Sequence, residues 1–164
     1  MNDIEKIYTY YAIPVKKYVL SLCGNSSAAD DITAETFYKA LKNIDSFNGG
    51  KIFTWLCAIA RNTYFDYINK KEYQNSPLTA EMENSFSGIS PSPEDSVIKK
   101  DESLFLYRQI MKLDGNLKDV VYLRIFAGLS FKEIGDILGK SENWSRVTFY
   151  RCKSKLKGLI ENEI

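Results

Sequence analysis

A chain of 164 residues, 45% of them hydrophobic, is long enough for one medium core or two small ones and is not composed like a disordered protein. It has no histidine, which removes Ser-His-Asp and Cys-His nucleophiles and most zinc sites, and neither GxxxxGK[ST] nor GxGxxG occurs. The net charge of +1 hides three unequal segments, +2 over residues 1–71, −5 over 72–103 and +4 over 104–164, so local fields rather than the total decide what the chain attracts.

No apolar run reaches the roughly 18 residues a membrane span needs. The first stretch, MNDIEKIYTYYAIPVKKYVL, carries Asp3 and Glu5 and does not read as a signal peptide. The expectation is a soluble cytoplasmic protein. Cys23, Cys57 and Cys152 lie far apart with no CxxC pair, and read as small buried hydrophobes in a reducing compartment. No metal or cofactor is expected.

In chain order, IEKIYTYYAIPVKKYVLSLC has helical spacing interrupted at Pro14, and Gly24 to Ser27 break the pattern. Ser27 is the expected cap of the next helix, with Asp30 and Asp31 in its first turn, where acids suit the positive helix end. That helix places Ile32, Phe37, Ala40, Leu41 and Ile44 broadly on one face. DSFNGGK is a loop by its glycine pair. In IFTWLCAIARNTYFDYINKK, the residues Phe53, Leu56, Cys57, Ala60, Tyr64 and Ile68 recur at intervals of three and four.

Between Glu72 and about Ser96 stand three of the four prolines among Ser, Asn and Glu. This composition reads as a linker, with a long surface loop as the alternative. SVIKKDESLFLYRQIMKL and NLKDVVYLRIFAG are the next two helices, the second ended by Gly128. No period-two run calls for a strand. The expected fold is all-α, with two small helical domains, 1–71 and 104–164, separated by 72–103, a flexible acidic linker that includes the start of the next helix.

SFKEIGDILGKSENWSRVTFYRCKSKL is the most informative stretch. Ser130 and Glu133 form S-x-x-E, a capping box. Ile134, Ile137 and Leu138 supply an apolar face, Gly139 suits a sharp turn, and Ser141 is positioned to cap the following helix. Helix, short glycine-containing turn and helix make a helix–turn–helix. Around the second helix, Ser145, Phe149, Cys152 and Leu156 share a sector that should face the core. Asn143, Arg146, Val147, Tyr150 and Ser154 lie opposite, with Arg151, Lys153 and Lys155 on the flanks. Arg pairs bidentately with guanine and Asn with adenine, so Asn143 and Arg146 are base-reading candidates, and Arg151, Lys153 and Lys155 phosphate candidates. An amphipathic helix with a solvated basic face is the alternative.

DDITAETFYKALKNIDSF, FTWLCAIARNTYFDYINKK, the acidic stretch, and LKDVVYLRIFAGLSFKEIGDILGKSENWSRVTFYRCKSKL, in that order, resemble the bacterial sigma-70 family. More narrowly, they resemble the extracytoplasmic-function group, which keeps only the second and fourth sigma domains. The resemblance implies a protein, not itself an enzyme and without a small-molecule substrate, that binds core RNA polymerase, directs it to promoter DNA and helps melt the start region. It implies docking on the clamp helices of the largest polymerase subunit through Asp30, Asp31, Ile32, Glu35, Thr36, Phe37 and Ala40. Phe47, Asn48, Lys51 and Asn62 match positions that handle the minus-ten element, with Arg61, Lys70 and Lys71 on phosphates. For Phe53 and Trp55 a core role is favoured over base stacking.

The fourth domain is implied to bind the polymerase flap and read the minus-thirty-five element with its second helix. There the family's usual Thr-Val pair is replaced by Trp144-Ser145 and its usual Arg by Thr148. The resemblance also implies a path for the acidic linker toward the RNA exit channel, and an anti-sigma factor as regulator. The competing expectation is a stand-alone transcriptional regulator whose helical N-terminal domain senses a ligand or dimerises.

Overall fold

The computed structural model describes residues 3–72 and 97–162. Among these it has seven α-helices, one 3-10 turn and no strand, which is the all-α architecture read from the periodicity. The chain divides into two compact units, residues 1–89 and 90–164. Residues 73–96, most of the acidic segment expected as a linker, lie outside the described residues. Among the described residues no helix is long and apolar enough to cross a membrane.

In the first unit, α1 (Asp3–Cys23), α2 (Ser26–Lys42) and α3 (Ile52–Glu72) pack against one another in pairs. Val15, Val19, Leu20, Ile32, Leu56 and Ala60 are buried where they meet, and Tyr11, Phe53, Trp55, Tyr64 and Tyr67 close over them. Burying each Ile or Leu of this set stabilises the unit by about 1.5–3 kcal/mol.

Three local expectations change. Helix α1 runs through Pro14 without interruption. Proline deletes one i→i−4 bond, the one to the Tyr10 carbonyl, in a stretch of α1 where Tyr10 is 74% exposed. The cap of α2 is Asn25, not Ser27: Asn25 is extended and its Oδ1 accepts from the Ala28 amide at 2.8 Å. This starts the helix earlier and moves Asp30 and Asp31 out of its first turn, where the helix dipole is strongest. Asp30 instead pairs with Lys16 of α1 at 2.6 Å. Finally, the buried face of α2 is Ala28, Ala29, Ile32, Thr33, Thr36 and Ala40. Leu41 is 47% exposed and Ile44 belongs to the 3-10 turn Ile44–Ser46.

In the second unit, α4 (Val97–Met111), α5 (Gly115–Ile125) and α6 (Phe131–Leu138) all pack on α7 (Glu142–Asn162). Ile110, Val120, Val121, Leu123 and Ile134 are fully buried. Tyr107, Tyr122 and Phe126 stack in a cluster with ring separations of 5.4 to 6.3 Å. The three cysteines are buried, and none of them is in a disulfide.

Candidate nucleic-acid interface

The α6–α7 corner is fixed by hydrogen bonds that the sequence spells out. Ser130 Oγ accepts from the Glu133 amide at 3.1 Å while the Ser130 amide donates to Glu133 Oε1 at 3.3 Å, a complete capping box. Gly139 closes α6 at φ 69° and ψ 34°, the left-handed region, which glycine enters without a Cβ penalty. Ser141 Oγ accepts from the Trp144 amide at 3.0 Å and so caps α7.

A second glycine, which the sequence did not flag, is as demanding. A Cβ on Gly135 would stand 2.6 Å from the Lys140 carbonyl oxygen. The Lys140 amide in turn donates to the Gly135 carbonyl at 2.8 Å. The turn is folded directly onto the α6 backbone, and that contact sets where α7 begins.

Helix α7 divides as its periodicity predicts. Ser145, Phe149, Cys152 and Leu156 are buried, and the Ser145 hydroxyl donates to the Ser141 carbonyl at 3.1 Å. Asn143, Arg146, Val147, Tyr150, Arg151, Lys153 and Lys155 are all exposed. Lys153 Nζ sits 5.8 Å from the Tyr150 ring centroid. Arg146 is constrained: its guanidinium contacts Glu142 Oε1 at 3.1 Å and lies over the Phe131 ring. Thr148 is buried and faces the core side. Trp144 is half-buried, with Lys140 Nζ over its ring at 5.4 Å. This helix therefore presents hydrogen-bonding side chains in its first turns and cations beyond them, the order that base edges followed by phosphates require.

The first unit carries two further surfaces. Gly49 and Gly50 have φ of 84° and 96°, and bend the loop between the 3-10 turn and α3. The Phe47 ring anchors that loop against Trp55 at 5.3 Å, leaving Asn48 and Lys51 exposed. Phe53 stacks on Tyr11 at 6.0 Å, and both Phe53 and Trp55 pack on the core. Along α3, Asn62 and Lys70 are exposed, Arg61 lies over the Phe65 ring at 4.6 Å and Lys71 over Tyr67 at 5.0 Å. Phe65, 41% exposed, was not singled out from sequence, although its place one turn beyond Arg61 carried the signal.

On α2, the predicted docking set separates. Asp30, Asp31 and Glu35 are exposed and Phe37 is half-buried, its ring edge-on to Tyr8 at 5.0 Å. Ile32, Thr36 and Ala40 are buried in the unit's core, so they place the helix and do not offer side chains to a partner. Ile32, Thr36 and Ala40 are spaced by four, so they continue the row of Ala28 on the one face that α2 packs against α1 and α3. Between α1 and the later turns of α2 runs a mostly apolar groove of about 530 Å³ lined by Ile4, Tyr8, Phe37, Tyr38 and Leu41, with Glu5 and Thr9 at its polar side.

The model of sigma-70 region 2 matches residues 7–73, the helices of the first unit. Over 173 aligned residues the chain is 33% identical to the ECF RNA polymerase sigma factor SigW of Bacillus subtilis, covering 98% of this chain and 88% of SigW. It is 30% identical over 160 residues to the ECF RNA polymerase sigma factor BldN of Streptomyces coelicolor, covering 96% of this chain but spanning 60% of BldN. The sigma factor RpoE of Bartonella quintana, solved in complex with the anti-sigma factor NepR, has the same fold, with a TM-score of 0.75, 20% identity and 98% of both chains covered. With its all-helical units and a complete helix–turn–helix, the chain belongs to the extracytoplasmic-function sigma factors of the sigma-70 family. These are initiation factors, not catalysts, and direct RNA polymerase to promoters.

Proposed function

We propose that the chain performs this task in the cytoplasm, without catalysis of its own, through three surfaces. The carrying observation is α7, whose inner row is sealed in the core while Asn143, Arg146, Val147 and Tyr150 form a continuous exposed row. Asn143 and Arg146 read base edges of the minus-thirty-five element, Val147 and Tyr150 supply apolar contact, and Arg151, Lys153 and Lys155 hold phosphates. In the first unit, Asn48 and Lys51 on the Phe47-anchored loop, with Asn62 on α3, engage the minus-ten element as it opens. Arg61, Lys70 and Lys71 hold its backbone, and Phe65 adds an aromatic face for an unstacked base.

Polymerase docks on α2 through Asp31, Glu35 and the neighbouring groove. The pairing of acids with an apolar trough suits a helix of the largest subunit that carries Arg and apolar side chains. Residues 1–71 thus serve polymerase docking and the minus-ten element, and residues 104–164 serve the flap and the minus-thirty-five element. The acidic segment between them complements a basic channel. An anti-sigma protein, the kind of partner seen with RpoE, is the proposed regulator.

Gel filtration with bacterial core RNA polymerase, without DNA, tests the central point. Co-elution at near-equal stoichiometry is the expected result. Elution of the chain alone as a homodimer, while a control sigma factor binds the same polymerase, would favour a stand-alone regulator.

A further inference from the structure

Side chains from two helices, α5 and α7, converge on the Phe131 ring at the start of α6. Phe131 is buried. The Arg124 guanidinium of α5 lies 4.2 Å from its centroid, and that of Arg146 of α7 lies 5.5 Å away. Arg124 is itself fixed, donating to the Leu129 carbonyl at 3.0 Å. The Tyr150 ring flanks Phe131 at 6.1 Å. On its other side Arg146 donates from Nη2 to Glu142 Oε1 at 3.1 Å. An arginine on an open helix face sweeps a wide arc, but this one is confined between a ring and a carboxylate. Both partners of the ion pair stay open to solvent, with side chains 46% and 53% exposed, so the guanidinium fork remains within reach of an incoming base edge.

We infer that Glu142 is a positioning residue for Arg146, and that by restricting where the guanidinium points it sharpens base preference at one position of the upstream promoter element. The inference rests on α7 being the recognition helix. A bidentate contact to guanine needs the fork in the plane of the base edge. A side chain already held there gives up less freedom on binding than one that must be captured. The charge of Glu142 has the opposite effect on general affinity, because a carboxylate near the duplex repels phosphates. Positioning and charge therefore predict opposite results when Glu142 is removed.

The test uses the full chain assembled with core polymerase and a promoter library randomised across the upstream element. Arg146→Ala first identifies the position that Arg146 reads. Glu142→Ala is expected to lower discrimination at that same position about twofold, with non-specific affinity equal or higher. Glu142→Gln keeps an acceptor oxygen at the same reach without the charge, and is expected to retain most of the discrimination. Adding Glu142→Ala to Arg146→Ala is expected to change discrimination no further. The inference is overturned if Glu142→Ala and Glu142→Gln both raise affinity for every sequence with preference intact, or if Glu142→Ala alters a different position. If Arg146→Ala itself leaves every base preference unchanged, the recognition-helix reading fails first, and the inference with it.

Discussion

Asn143 and Arg146 stand in the first turns of α7, where a major-groove helix meets base edges, while Lys153 and Lys155 stand beyond them. Arg146→Ala and Asn143→Ala should each cost about 1–3 kcal/mol on the preferred upstream element and leave polymerase binding intact. Lys153→Ala should weaken all sequences alike and reduce the salt slope by about one charge. Fluorescence anisotropy of the assembled holoenzyme across a salt series distinguishes the two patterns. Cys152 offers a different test. Burial raises its thiol pKa above the ordinary 9.0, outweighing the pull of Lys155. The folded state then holds that proton more tightly than the unfolded chain does. Its contribution to stability is complete below the ordinary value and is lost as pH rises through the raised one. Urea unfolding between pH 8 and 11 should show a decline (from about pH 9 upward) that Cys152→Ala makes shallower. At this scale the division of α7 into a buried row and an exposed row of amide and cationic side chains was legible in the sequence. The fate of Asp30 was not, because its pairing with Lys16 joins residues of different helices.

Between α6 and α7 the corner depends on a backbone contact more than on any side chain. Gly135→Ala pushes a methyl into the Lys140 carbonyl, and is expected to cost about 1–3 kcal/mol. Because that carbonyl belongs to the turn, the displacement passes to α7, and DNA affinity should fall even well below the melting temperature. Calorimetry paired with binding at low temperature separates the two losses. Ser130→Ala opens the capping box and should cost about 1 kcal/mol in the same thermal measurement, with little effect on DNA affinity in the cold. The capping box, Gly139 and Ser141 could be read from sequence because each acts within a few residues of itself. Gly135 could not, since a glycine inside a helix reads only as weakened propensity until the turn that folds onto it is seen. Likewise α7 showed its core face plainly, whereas α2 buries alanines and threonines, residue types that carry little apolar signal.

For the whole molecule, two helical blocks were legible from their order and separation, because each carries its own periodicity. The periodicity assigns no use to either surface, since docking depends on a partner's shape, and the use proposed for each comes from the resemblance. Asp31→Lys with Glu35→Lys reverses the charge of the exposed α2 row without touching the buried Ile32, Thr36 and Ala40. It should abolish co-elution with core polymerase while circular dichroism stays unchanged. Retained co-elution would exclude this face as the docking surface. Ser145, 0% exposed under α7 with its hydroxyl bonded within its own helix, has a consequence for descent. It acts as a thin shim beneath the exposed row of α7. Lineages that thicken or thin that shim would tilt the whole row together, so the surface this helix presents can drift by a change in the core while each exposed residue is inherited intact.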